Sequence, residues 1–245
     1  MVRVLLLAGT AEARVLAGRL GALGHDVTAS LAGVTARPAD LSVPVRRGGF
    51  GGAAGLAAWI RARGVEALID ATHPFARQMP WNAAEAAAAT GVAHLRLLRP
   101  AWPRRPGWQV FPGLGPAVAA VPPAARLLAA TGSGETGIFA TRPDLSIVLR
   151  SIAPVAGLPG HVQCLTARPP FSEPEERALM AAQRITHLLC RESGGEGAKL
   201  EAAEALGVQV LMIARPAQPP VPLVDTVEGA VDWFSARLDA AAERG

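Results

Sequence analysis

Short apolar runs alternate with alanine-rich stretches along the chain, and this alternation limits the folds open to it. The first two runs, VRVLLLA and DVTASLA, are separated by the amphipathic stretch AEARVLAGRLGALG, and the same order recurs further along. Continuous apolar strands joined by helices are typical of a parallel sheet that is covered on both faces. The pattern therefore predicts an α/β fold.

The alternation breaks once, after Arg99, in the segment RPAWPRRPGW. Its three prolines and two tryptophans are typical of a linker or crossover. The alternation then resumes with ARLLAATGSGE and continues to a final helix, TVEGAVDWFSARLDAAAERG. We therefore expect two Rossmann-like domains with parallel sheets and an interdomain cleft. They cover residues 1–99 and residues 100–245, and the final helix is able to pack on the first domain.

The charge and the aromatic content argue against a nucleic-acid partner. The 245 residues carry 24 Lys+Arg against 20 Asp+Glu, a net charge of +4, with 4% aromatic residues and no tyrosine. No basic helix or RNA-binding signature appears. The modest positive balance comes almost entirely from arginine, and it favours small anionic ligands such as phosphates or carboxylates.

Neither a membrane span nor a metal site is expected. No apolar run reaches the roughly 18 residues that cross a bilayer, and the first residues are typical of a strand followed by a helix, not of a secretory signal. The 5 histidines are scattered without metal-ligand spacing, and Cys164 and Cys190 lie inside apolar runs. We expect a cytoplasmic protein with buried thiols and no metal.

The first candidate site is the loop in LLLAGTAEAR, which follows the first predicted strand. Gly9, Thr10, Ala11 and Glu12 stand at the start of the next helix, where backbone N–H groups and the helix dipole favour a phosphate. The full G-x-G-x-x-G fingerprint of dinucleotide-binding folds is absent. A tight turn with Thr10 as helix cap explains the loop equally well.

The end of the second strand bears on the choice of cofactor. NAD-binding folds usually carry an acid there to hold the ribose hydroxyls. This strand instead ends at Ser30, and Arg37 follows in the loop. The missing acid and the nearby arginine favour a 2′-phosphate, and hence NADP(H).

The segment DATHPFA follows the fourth predicted strand. Pro74 holds the preceding residue in an extended conformation and is predicted to begin the next helix. Thr72 and His73 then project at the end of the sheet, beside the first loop. A capping role for Asp70 or Thr72 is the alternative, but it leaves His73 without a role.

Three further loops follow predicted strands in the second half of the chain. They are TGSGE, TARPPF and CRESGGEGAK, and the last has the glycines and cations of an anion-binding loop. The candidate ligand-binding residues in these loops are Thr131, Gly132, Ser133, Arg168, Phe171, Arg191, Ser193, Gly194 and Lys199.

Four of these segments together resemble one family. LLLAGTAEAR, DATHPFA, TARPPF and RESGGEGAKLEAAEALGVQVLMIARP are similar, in this order and spacing, to segments of the precorrin-6A reductases of cobalamin (vitamin B12) biosynthesis. The resemblance runs from Val4 to about Pro216. Two positions depart from the family pattern, because Arg191 replaces a usual lysine and Gly33-Val34 replaces a usual Gly-Arg pair.

The resemblance implies an NADPH-dependent oxidoreductase that transfers a hydride to a double bond of precorrin-6A and yields precorrin-6B. It implies that residues 1–99 bind NADP and that residues 100–245 complete the substrate cleft. The first loop, Ser30, Arg37, Thr72, His73, Arg191, Ser193, Gly194 and Lys199 are assigned to the cofactor. Thr131, Gly132, Ser133, Arg168 and Phe171 are assigned to the tetrapyrrole.

His73 is expected to position reactants more than to act as the acid. Two alternatives stay open: a cobalt-precorrin-6A reductase of the anaerobic pathway, and a non-reductase ligand-binding or transferase protein built on twin α/β domains. A monomer is favoured.

Overall fold

The computed structural model describes residues 1–31 and 41–242, with side chains up to Arg237. The chain forms two compact units, one of Met1–Pro100 with Pro216–Gly245 and one of Ala101–Arg215. The predicted second domain ran from residue 100 to residue 245, with only its final helix free to pack elsewhere. In the structure, residues 216–242 belong to the first unit.

Within residues 1–31, 41–100 and 216–242, the first unit has six strands and four helices. The strands are β1 (Arg3–Ala8), β2 (Asp26–Leu31), β3 (Val45–Arg47), β4 (Ala67–Ala71), β5 (Ala93–Leu97) and β12 (Leu223–Val224). The helices are α1 (Ala11–Ala22), α2 (Gly52–Arg63), α3 (Met79–Thr90) and α7 (Val227–Ala242). The strands form one parallel sheet in the order β12-β5-β4-β1-β2-β3.

Apolar side chains cover both faces of this sheet. On one face, Leu6 packs with Leu16 of α1 and Phe234 of α7. On the other face, Leu7 packs with Ile60 of α2 and with the alanines of α3. Burial of each large apolar side chain contributes about 1.5–3 kcal/mol, and this burial is why the continuous apolar runs become central strands.

The second unit also has six strands, with three α-helices and a 3₁₀ helix at Thr136–Thr141. The strands are β6 (Gln109–Phe111), β7 (Arg126–Ala130), β8 (Ser146–Ser151), β9 (Val162–Thr166), β10 (His187–Arg191) and β11 (Gln209–Ile213). The helices are α4 (Leu114–Ala119), α5 (Glu173–Ala182) and α6 (Ala198–Ala205). All strand pairs are parallel, in the order β6-β11-β10-β7-β8-β9.

The core of the second unit contains Met180 of α5, Leu200 of α6 and Cys190 of β10. Complete burial raises the pKa of the Cys190 thiol to about 11. Cys164 is only partly buried, so the expectation of buried thiols holds for Cys190 and is wrong for Cys164.

The strand order of each sheet reverses once, and the reversals mark where ligands bind such folds. In the first sheet the order reverses between β1 and β4, and in the second between β7 and β10. A crevice opens at such a point beyond the carboxyl ends of the strands. The loops after these four strands include Gly9-Thr10, Thr72-His73, Thr131–Ser133 and Glu192–Gly194. No helix in the described ranges is long and apolar enough to cross a membrane.

Candidate functional site

Thr10 joins the first loop to the neighbouring strand. Its hydroxyl accepts a hydrogen bond from the backbone N–H of Ala13 at 3.1 Å and donates one to the carbonyl of Ala71 at 3.2 Å. Thr10 is therefore the helix cap that the alternative interpretation predicted. The backbone N–H groups of Ala11 and Glu12 lie at the start of α1, where an N–H has no partner within its own helix. The cap and an anion-binding helix start occur together in this loop.

Gly9 is in close contact with the DATHPFA segment. A Cβ atom on Gly9 would lie 3.1 Å from the backbone nitrogen of His73 and 3.3 Å from Cα of Thr72. Its φ is not in the left-handed region, so backbone conformation does not require a glycine here. The close approach of the Thr72–His73 backbone explains why residue 9 has no side chain. The loops after β1 and β4 thus lie side by side, as the sequence predicted.

His73 forms a tight turn with the residues after it. Its Nδ1 accepts a hydrogen bond from the backbone N–H of Phe75 at 3.1 Å, and its carbonyl accepts one from Ala76 at 2.7 Å. Helix α3 begins only at Met79, so the predicted helix start at Pro74 is wrong. Proline is favoured at the second position of such a turn, because its φ suits the turn as well as a helix.

The turn determines which ring nitrogen of His73 carries the proton. Because Nδ1 accepts a hydrogen bond, the neutral ring carries its proton on Nε2. The ring is half-buried, and its Nε2–H is suited to donate a hydrogen bond to a ligand oxygen. This geometry suits a role for His73 in positioning a bound ligand.

A buried ion pair lies beneath this turn. Asp70 and Arg96 face each other across β4 and β5, and their carboxylate and guanidinium are in contact with neither side chain exposed. Asp70 Oδ1 accepts a hydrogen bond from the backbone N–H of Thr72 at 3.0 Å, and Arg96 Nη1 lies 3.5 Å from the Thr72 hydroxyl. Neither Asp70 nor Thr72 caps a helix, so that alternative for DATHPFA is wrong.

The sequence contains a signal for this pair. Asp70 and Arg96 are single charges inside otherwise apolar strands, and a buried charge is rarely tolerated without a partner. Only the strand register shows that the two charges meet.

At the end of β2, Ser30 is buried and bonded to an arginine that the sequence analysis did not single out. Arg46 of β3 lies opposite Ser30 in the sheet and donates to its hydroxyl from Nη1 at 3.2 Å. Arg46 also donates to the carbonyls of Gly48 and Gly49, at 2.7 and 2.8 Å. Arg37, the predicted 2′-phosphate ligand, lies outside the described residues.

Glu12 has a structural partner. Its carboxylate lies 3.3 Å from Arg99 Nη1, which follows β5. This ion pair keeps a negative charge in the first turn of α1, where the helix dipole stabilises it. A direct role of Glu12 in cofactor binding is not needed to explain its presence.

The second unit brings several other predicted residues together at its own strand reversal. Thr131 is buried at the end of β7, with Gly132 and Ser133 after it. A Cβ on Gly134 would lie 3.9 Å from Arg191 Nη2, so the guanidinium at the end of β10 is beside this loop. The Lys199 ammonium lies 4.4 Å from the Trp102 ring centroid, in the first turn of α6.

Trp102 was predicted to belong to a linker, but it is part of the second unit's core. Its indole Nε1–H donates to the carbonyl of Gly195 at 2.8 Å. Gly194 and Gly195 have positive φ values of 68° and 81°, which glycine adopts without strain. Trp102 therefore helps to hold the glycine loop that contains Ser193.

Arg168 and Phe171 are separated from this group. They follow β9, the edge strand, whereas Thr131 follows β7 two strands away. The Phe171 ring lies 4.4 Å from the guanidinium carbon of Arg150, and Arg150 pairs with the buried carboxylate of Glu176 at 2.8 Å. These contacts give Phe171 a packing role.

Among the side chains that the structure describes, no group of three His, Cys, Asp or Glu residues is placed to hold a metal ion.

Comparison with known proteins gives a consistent result. The family described as precorrin-6x reductase CbiJ/CobK matches residues 3–235. The precorrin-6A reductase of Rhodococcus erythropolis is 44% identical over 241 residues, covering 95% of this chain and 97% of the relative. That of Rhodobacter capsulatus is 41% identical, covering 96% of each chain. A cobalt-precorrin-6A reductase of Priestia megaterium is 30% identical, covering 87% and 90%.

The fold agrees with the sequence comparison. A solved structure described as CobK precorrin-6A reductase superimposes with a TM-score of 0.91 at 40% identity. The match covers 96% of this chain and 97% of the solved one.

Proposed function

Because this chain belongs to the precorrin-6x reductase CbiJ/CobK family, we infer that it is a precorrin-6A reductase of cobalamin biosynthesis that uses NADPH. The observation that carries the activity is 40–44% identity to precorrin-6A reductases over almost the whole chain. The cobalt-precorrin-6A reductases reach only 25–31%. This difference favours the metal-free substrate.

The loops after β1 and β4 are suited to the dinucleotide. We place its pyrophosphate at the start of α1, where the backbone N–H groups of Ala11 and Glu12 and the helix dipole favour an anion. The absence of a side chain on Gly9 keeps this loop against Thr72 and His73. We assign to the Nε2–H of His73 a hydrogen bond to a cofactor oxygen.

NADPH supplies the hydride, and the protein supplies orientation and charge. Reduction of a carbon–carbon double bond consumes one hydride and one proton. The hydride adds to one carbon, and the neighbouring carbon takes the proton from solvent or from a side chain. His73 in its neutral form has a hydrogen bond at Nδ1 and a proton at Nε2, and we assign it to positioning.

We place carboxylate groups of the tetrapyrrole at the strand reversal of the second unit. Arg191 is the last residue of β10, Lys199 lies in the first turn of α6, and the hydroxyl groups of Thr131 and Ser133 follow β7. The sequence analysis assigned both cations to the cofactor; we assign them to the substrate because they lie in the same unit as these hydroxyl groups. Arginine binds carboxylates with two parallel hydrogen bonds. Arg168 is exposed at the sheet edge and is assigned a peripheral contact. The packing of Phe171 on Arg150 accounts for this ring without a substrate contact.

The test is anaerobic incubation of the protein with precorrin-6A and NADPH, with the chromophore and the nicotinamide absorbance followed together. We expect equimolar loss of both signals, and no change when either reactant is omitted. Parallel reactions with cobalt-precorrin-6A and with NADH test the metal-free substrate and the cofactor separately. Binding of the tetrapyrrole without oxidation of either dinucleotide would instead support the non-reductase alternative.

A further inference from the structure

We propose that Arg46 binds the 2′-phosphate of NADPH, a proposal that rests on the proposed function. In Rossmann-like folds the adenosine ribose lies beyond the end of the second strand, where an acid selects NAD. Here that position is Ser30, which is buried and uncharged. The guanidinium of Arg46 is hydrogen-bonded to its hydroxyl at 3.2 Å. A 2′-phosphate at this position would meet a cation instead of a carboxylate.

The Arg46 side chain is already held in one orientation. Its guanidinium carbon lies 3.7 Å from the ring centroid of Phe50, and its Nη atoms bond the carbonyls of Gly48 and Gly49. A planar guanidinium that is stacked and hydrogen-bonded loses little further entropy when an anion binds. Arg46 is half-buried, so the pairing would be less screened by solvent than at an exposed site.

The glycine loop beside Arg46 has room for a ligand. Gly48 has a φ of +99°, a backbone conformation that favours glycine at this position. Gly49 has no such φ, and a Cβ on it would meet nothing within 4 Å. Neither backbone strain nor packing within the described structure accounts for Gly49. The space beside Gly49 is therefore open to a ligand of Arg46.

Arg47 is the matched control. It is the next residue of β3, it carries the same charge, and its side chain points to the opposite face of the sheet because strand side chains alternate. Removal of Arg47 changes the net charge of the unit as much as removal of Arg46 does. Only the Arg46 substitution takes a cation away from Ser30.

The experiment measures Kd for NADPH, NADH and adenosine 2′,5′-bisphosphate by titration of the full chain at physiological salt. We expect Arg46→Ala to weaken NADPH and the bisphosphate about 10- to 100-fold, the range for a lost charge-assisted hydrogen bond. The Kd for NADH should change less than about threefold. Arg47→Ala should leave the Kd of all three ligands unchanged. Thermal unfolding checks that each variant is folded.

Gly49→Val is a second variant, in case Arg46→Ala does not fold. It should leave thermal stability unchanged and weaken the binding of NADPH more than that of NADH. Equal weakening of both dinucleotides by either folded variant would overturn the inference about Arg46.

A wild-type protein that prefers NADPH while Arg46→Ala keeps that preference would overturn this inference alone. A wild-type protein that reduces precorrin-6A equally well with NADH would also overturn it, although the reductase activity would stand. A wild-type protein that binds no nicotinamide dinucleotide would overturn the proposed function as well.

Discussion

The guanidinium of Arg96 is paired with the carboxylate of Asp70 across two neighbouring strands, and neither side chain is exposed to solvent. The second carboxylate oxygen of Asp70 accepts a hydrogen bond from the backbone N–H of Thr72. The pair therefore connects the interior of the first sheet to the turn that contains His73.

Arg96→Met should destabilise the protein by about 3–5 kcal/mol, because it leaves the Asp70 carboxylate buried without a counter-ion. The double variant Asp70→Leu with Arg96→Met should regain most of that stability, since no uncompensated charge remains. Urea unfolding gives the free energies. Glu173→Gln, which breaks the surface pair with Arg177, is the control and should change stability by less than about 0.5 kcal/mol. A similarly small change for Arg96→Met would contradict the assignment of a buried pair.

Gly9→Val should weaken NADPH binding and also cost stability, because its Cβ would press on the Thr72–His73 backbone. Gly9→Ala should show the same effects in a milder form. Gly18→Ala is the control within the same region, since a Cβ there meets nothing within 4 Å in helix α1. It should stabilise the protein by about 0.5–1 kcal/mol and leave NADPH affinity unchanged. Normal NADPH affinity in a folded Gly9→Val variant would exclude this loop from the cofactor site.

His73→Ala should lower kcat/KM by less than about a hundredfold, with most of the loss in binding, because a positioning residue does not supply the proton. His73→Asn should retain more activity, since an asparagine oxygen accepts a hydrogen bond from the residue two positions on and preserves the turn. The pH–rate profile should keep its shape in both variants. A thousandfold loss of rate at unchanged affinity, with an ionisation near neutrality lost, would show that His73 is the proton donor.

The stability of the protein should fall as the pH drops below about 7. Burial is the largest cause that lowers the pKa of His94, and the Arg96 charge adds to it while Asp70 opposes it. The unfolded histidine, with its pKa near 6.5, then binds protons that the folded one does not. Stability is therefore lost toward acid, with a limiting slope of about 1.4 kcal/mol per pH unit for this group.

The measurement is urea unfolding of wild type and His94→Gln between about pH 5 and pH 7.5. The difference between the two free energies of unfolding at the upper pH measures the packing lost in the variant. The difference between their slopes against pH measures the contribution of His94 titration. Burial also lowers the pKa values of His25 and His187. Both histidines are present in wild type and variant, so their contributions cancel in the difference between the two slopes. Identical slopes would show that His94 titrates alike in the folded and unfolded chains.

Local pattern was sufficient for most of the architecture. The runs VRVLLLA, DVTASLA and ARLLAA contain β1, β2 and β7, and the loops that carry Gly9, Thr72 and Thr131 follow parallel strands as expected. These features depend on the length of an apolar run and on where glycine or proline ends it, and both can be read without knowledge of distant neighbours. The family motifs lie in those same loops.

The features that were missed depend on pairing between distant segments. β6 and β12 have 3 and 2 residues, too few for a periodic signal, and they are strands because β11 and β5 lie beside them. The helix start at Met79 was misplaced because Pro74 suits a turn as well as a helix. The tertiary structure resolved both ambiguities.

The apolar runs by themselves determined that this chain folds into parallel sheets, with the loops that hold the candidate site at their carboxyl ends. Only the tertiary structure decided which polar side chains in the sheets meet: Arg46 with the Ser30 hydroxyl, and Arg96 with the Asp70 carboxylate. Lateral strand register sets those contacts. Register is a property of the assembled sheet, since it places Ser30 opposite Arg46 and Asp70 opposite Arg96, residues that are 16 and 26 positions apart in the sequence.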